Sequence, residues 1–126
     1  QKKLTIISRL SWMSLGVISA VNHQEKQVEE YIEAVFQDLE KTSYDENLNV
    51  LYYLRAVIYK KLEKNKLALM TLEKGIQFIS EHNSHYMLAN FYYLAALLVE
   101  NDKSRAYFSK SQLFTELYKE KVFDKI

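Results

Sequence analysis

Two histidines three positions apart, His82 and His85, are the first residues of this chain whose types and spacing suggest chemistry. On a helix that spacing sets both imidazoles on one side of a single turn, as two ligands of one metal ion would be. No third ligand is spaced to complete a site, and the polar tract from Glu81 to His85 reads as a loop entering a helix. A capping, solvated role follows, and no metal site is expected. Carboxylates crowd residues 24–47, where Glu25, Glu29, Glu30, Glu33, Asp38, Glu40, Asp45 and Glu46 meet only Lys26 and Lys41, a local balance of −6 in a chain of net charge +1. They recur at helical spacing along one stretch and so point outward, whereas an acid–base pair must converge from separate elements on a cleft. The stripe reads as a solvated helix face, with a docking face for a basic partner as the sharper alternative. No phosphate-cradling glycine loop, no nucleophile elbow and no cysteine is present, so no catalytic residue and no cofactor is assigned and the chain is not read as an enzyme.

What the chain does carry is rings. Ten Tyr and six Phe crowd at Tyr52-Tyr53, Phe91-Tyr92-Tyr93 and Tyr107-Phe108. Neighbours on a helix point about 100° apart, so in each cluster one ring can enter a core while the next faces elsewhere. That second ring either lines a binding surface, where Tyr offers area and a polar tip at little entropic cost, or packs on a neighbouring hairpin. Both readings stay open at this level.

Composition restricts the elements that can hold these side chains. A chain of 126 residues suits one domain, and at that size folding buries roughly two-thirds of the unfolded surface. Proline is absent and the two glycines are Gly16 and Gly75, which leaves helices joined by short polar links. Apolar residues recur at helical spacing, interrupted near residues 22–24, 42–45, 63–65, 82–84 and 101–103. The expected helices cover about 3–21, 25–41, 46–62, 66–80, 84–100 and 104–121, paired by their short links as antiparallel hairpins over 3–41, 46–80 and 84–121.

The apolar run from Leu10 to Val21 is broken by Ser11, Ser14 and Ser19 and is about half the length a bilayer span needs, so no membrane is expected. Lys2 and Lys3 are not followed by the run and cleavage site of a signal peptide. The missing cysteine fits a reducing compartment, so the location is read as cytoplasmic. The small net charge argues against a nucleic-acid surface. The chain opens on Gln1 instead of Met and is read as a piece of a longer one.

Trp12, Leu15, Gly16 and Ser19 fall in the places of the pattern W-x₂-L-G-x₂-Y, with Val28 and Ile32 in those of A-x₃-F. Forty residues on, Tyr52, Arg55, Ala56 and Tyr59, then Ala68 and Leu72, fill the same places. Tyr86, Ala89 and Tyr93 open a third unit in which Ala106 arrives four residues late. The pattern resembles the tetratricopeptide (TPR) repeat. That resemblance implies an all-α fold of about six antiparallel helices in three TPR-like hairpins, forming a short right-handed solenoid whose first helices line a concave groove. The 40-residue spacing and the missing proline depart from the pattern, so an ordinary helical bundle is the alternative.

Carried over onto the matched positions, the groove is lined by Met13, Val17 and Ala20, by Tyr53, Val57, Lys60 and Lys61, and by Met87, Phe91 and Leu94. Such a floor suits a short peptide or protein segment with apolar side chains and an acidic group. More loosely, the Lys, Asn, Ile and Tyr richness and stretches such as Ala68 to Ile76 resemble the C-terminal domains of peptide-pheromone-responsive regulators of Gram-positive bacteria, the Rgg and PlcR-like class. That likeness implies quorum sensing, transcription regulation and dimerisation. Separately, three repeats are near the minimum for a stable array, so the apolar ends of the first and last helices are expected to be covered by further chain or by a homodimer mate, with Phe114, Leu117, Tyr118 and Phe123 as the contact on the last helix. The alternative is a structural adaptor that grips a protein partner and takes no small ligand.

Overall fold

The computed structural model describes residues 5–124, which form six α-helices and no strand. In chain order they are α1 (Ile6–Val21), α2 (Glu25–Phe36), α3 (Asn47–Lys61), α4 (Asn65–Glu81), α5 (Leu88–Leu98) and α6 (Asn101–Tyr118), with one 3₁₀ turn at Leu39–Lys41. None of the described helices is long and apolar enough to cross a membrane. The polar links end the helices without glycine. His23, Glu63 and Asn83 each take a left-handed conformation just past a helix end. The next amide then reaches back to a carbonyl of the last turn, Gln24 to Ser19, Lys64 to Tyr59 and Ser84 to Ile79, which satisfies groups the helix leaves free.

Two helices are shorter than their apolar pattern, for one shared reason. The pattern runs α2 on to residue 41, yet the helix stops at Phe36 and Asp38 turns left-handed. Arg9, 3% exposed, donates through Nη1 to the carbonyls of Val35 and Gln37 and lies 3.3 Å from Thr42 Oγ1. The Val35 carbonyl is the one that the Leu39 amide would need for another turn. The pattern likewise starts α5 at residue 84, but the helix begins at Leu88 after a left-handed Met87. Here Asn49, fully buried, donates through Nδ2 to the Tyr86 carbonyl (3.0 Å) and to Ser84 Oγ (3.3 Å), while Tyr44 donates to its Oδ1 (3.0 Å). Arg9 and Asn49 lie forty residues apart. Each pins the backbone that leaves the second helix of its pair.

Consecutive helices pack as hairpins, α1 on α2, α3 on α4 and α5 on α6. The hairpins are joined in two ways: α1 lies along α3, whereas the third hairpin docks chiefly through α5 on α4. Both glycines sit at these joints. A methyl on Gly16 would stand 3.0 Å from Ile58 Cδ1, and one on Gly75 would overlap the Phe91 ring and stand 3.0 Å from Tyr52 Cβ. The two contacts differ in what can yield. Both neighbours are fully buried, but Ile58 offers the end of a flexible side chain, whereas Phe91 offers a rigid ring. Gly75→Ala is expected to lose about 1–2 kcal/mol although alanine favours a helix by about 1 kcal/mol, because overpacking costs about 1–3 kcal/mol. Gly16→Ala should stay within about 0.5 kcal/mol of the parent. Urea melts of the pair check this, and equal responses would mean that the Gly75 joint relaxes as easily as the other.

Away from the joints, Lys64 Nζ meets Glu25 Oε1 at 2.7 Å, tying the α3–α4 turn to the start of α2. That ammonium holds the Glu25 carboxyl below the usual carboxylate range, chiefly by its hydrogen bond.

Candidate docking surface

The residues read as groove lining do not share one open face. Met13, Ala20 and Phe91 are fully buried, and Tyr53, Met87 and Val57 are 5–7% exposed. Leu94 is buried as well. They pack in the two cores instead, Met13 and Ala20 between the first two hairpins, the others between α3, α4 and α5. Val17, Lys60 and Lys61 alone keep part of their surface. The physical reason is that a core stripe and a groove stripe share the 3.6-residue period, so spacing cannot separate them. In this conformation a ligand reaches at most the last three.

Tyr53 shows the difference sharply. Its ring packs 5.8 Å from that of Phe91, and its hydroxyl is buried with no hydrogen-bond partner among the described residues. Burial pushes that hydroxyl far above its ordinary pKa. The other rings of the crowded clusters also find partners inside the protein. Tyr52 meets Phe36 and Phe78, Tyr92 stacks on Phe114 and Tyr107, and Tyr93 meets Phe108 edge-on. The histidines are engaged separately, His82 stacked on Tyr44 at 4.0 Å and His85 on Tyr118 at 3.6 Å. No group of three or more metal-ligating side chains occurs among the described residues. A wide-open hollow at the start of α2, lined by Gln24, Glu25, Lys26, Gln27 and Glu30, is too open to desolvate a substrate.

The surface that stands out is the outer side of α1. Ile7 is 77% exposed, Ile18 58%, Val21 55%, Leu15 45% and Trp12 38%. Arg9 is the lone charged residue of this helix, and it is buried. Residues 10–24 contain no Asp, Glu, Lys or Arg in a chain that is 26% charged. Ile7, Ser11, Ser14, Ile18 and Val21 alternate at spacings of four and three, which sets them in one row along the helix.

The chain also shows how such a row is covered. Ile18 lies forty residues before Ile58, and Ile58 is fully buried against Gly16 of α1. The matching side of α1 has no neighbour among the described residues. On α6, Leu113 and Leu117 are 51% and 59% exposed, but Lys110, Gln112 and Glu116 interleave with them. The charge-free stretch from Leu10 to Gln24 is visible in the sequence, where it is too short for a membrane span and belongs to an end helix expected to need covering, but which of its residues stay exposed is not legible there.

The fold and this surface define an all-α array of helical hairpins with an unpaired apolar face and, among the described residues, no convergent polar site. No family model matches the chain, and comparison with curated proteins and with solved structures finds no match in either.

Proposed function

We propose that this chain is a protein-binding module of TPR-like helical hairpins, working as an interaction surface and not as an enzyme, and that it pairs with a second copy of itself through the outer face of α1. The observation that carries the reading is the uncharged row Ile7, Ser11, Ser14, Ile18 and Val21. Exposed apolar rows without charge mark interaction sites. Pairing with a copy is favoured because a two-fold contact sets this row against the same row of the other copy, which like charges along it would oppose. Ser11 and Ser14 in the middle of the row are small enough for two helices to approach closely.

The expected result is concentration-dependent dimerisation in sedimentation velocity at micromolar protein. Ile18→Glu should weaken the dimer at least about tenfold, because it buries an unpaired charge in the contact. The melting temperature of the dilute monomer should stay put, since Ile18 is 58% exposed. A strictly monomeric parent, or an Ile18→Glu variant that still dimerises, would remove this face.

The narrower assignment is the sensing and dimerising part of a cytoplasmic regulator of the Rgg and PlcR-like class. It is supported by the looser sequence likeness, and dimerisation through α1 in place of α6 agrees with its second half. Its first half requires a bound peptide.

A further inference from the structure

The chain leaves α6 at Lys119, whose left-handed backbone (φ 56) turns it back toward the start of α5. Residues 119–124 form no helix and bury little, with Glu120 and Val122 half-buried and the rest exposed. What holds this strap is polar. Asn90, 1% exposed, donates through Nδ2 to the Lys121 carbonyl (3.0 Å) and accepts at Oδ1 from the Phe123 amide (2.7 Å). A carbonyl and an amide two residues apart are what one edge of a strand presents, so the carboxamide stands in for the backbone of a neighbouring strand. Glu120 adds a carboxylate clasp: Oε2 accepts from the Met87 amide (3.0 Å) and Oε1 from Asn90 Nδ2 (3.0 Å).

We propose that Asn90 and the Met87 amide form a peptide-recognition site, filled here by the chain's own residues 120–123, that takes in trans an extended peptide carrying a carboxylate side chain one residue before the carbonyl that Asn90 holds. The contacts read peptide backbone and one carboxylate, features that a peptide of this pattern shares with the strap. The comparison with Asn49 shows why the occupant can exchange. The loop that Asn49 grips is fixed on both sides by packed helices, α4 and α5, whereas among the described residues the strap is fixed by α6 on one side only. A handful of hydrogen bonds against the ordering of six residues comes close to balance. Release of the strap would bare a buried carboxamide and an N–H that need partners, so the site favours being filled. This site is independent of the α1 face.

The test uses the full chain and a fluorescent peptide with the sequence of residues 118–124, read by anisotropy. Glu120→Ala weakens the strap's own hold but leaves Asn90 and the Met87 amide intact, so this variant should bind the peptide about tenfold tighter than the parent. Asn90→Ala should bind it at least about tenfold more weakly, and so should the parent with a peptide whose Glu is replaced by Ala. That last arm needs no altered protein and stands even where Asn90→Ala fails to fold. No saturable binding to the Glu120→Ala chain, or equal affinity across parent and variants, would overturn the proposal.

Discussion

Phe91→Ala is expected to remove about 3–5 kcal/mol of stability, most of what a domain of this size has to lose. Phe91 is the largest side chain with no exposed surface. It fills the joint between the second and third hairpins, against Gly75 on α4 and 5.8 Å from Tyr53 on α3. Truncation loses the transfer energy of the ring and leaves a cavity that two helices would have to close. Because Gly75 has no side chain to move in, collapse onto the gap is limited, which puts the loss toward the upper end. Thermal melts should show a fall of roughly 10–20 °C. A groove-lining ring would behave in the opposite way, with stability unchanged and only ligand binding lost. A near-native melting temperature for Phe91→Ala would therefore return this residue to an open surface.

Asn49→Asp is expected to cost about 3–5 kcal/mol at neutral pH, as an unpaired buried charge does. The exchange keeps volume and shape, so packing is not what changes. Oδ1 still accepts from Tyr44, but the nitrogen that donated to the Tyr86 carbonyl and Ser84 Oγ becomes an oxygen facing another oxygen. Burial without a cation raises the carboxyl pKa in the folded state above its unfolded value of about 3.9. The sign follows from linkage: a raised folded pKa favours folding below the unfolded value, and that advantage is lost as pH rises through the folded one. The variant should thus be closest to the parent near pH 4, where the protonated carboxyl can again donate to the Tyr86 carbonyl, and furthest from it at pH 7. Asn49→Ala lacks the titrating group and should lose about 2–3 kcal/mol by the same unmet carbonyl, with no such pH dependence relative to the parent. Urea unfolding at both pH values distinguishes the two. Equal, pH-independent losses would mean that the amide does not grip the Tyr86 carbonyl.

The third hairpin illustrates how legibility is lost. Reading its first helix from Tyr86, Ala89 and Tyr93 leaves Ala106 four residues late, and Ala106 is in fact exposed. The small residue of α6 that meets α5 is Ser111, 3% exposed, whose Oγ donates to the Ala89 carbonyl (2.8 Å). A better register lies in the same stretch: Tyr92-Tyr93-Leu94-Ala95-Ala96 follows Tyr52-Tyr53-Leu54-Arg55-Ala56 by the same forty residues that separate the first two units. It is hidden because the helical pattern reaches back to residue 84, and nothing local shows that Asn49, from another hairpin, holds residues 84–86 out of helix.

By itself the amino-acid sequence determined that the protein is helical, how many helices it has and nearly where each link falls, since these follow from nearest-neighbour preferences and a period that every turn repeats. Only the tertiary structure decided which apolar side of each helix is covered. Met13 and Ile18 lie on the same helix and are both apolar, yet one has no exposed surface and the other keeps 58%. Periodicity marks a residue as apolar, but whether water is excluded from it depends on which neighbour arrives, and that neighbour is set by contacts forty residues away.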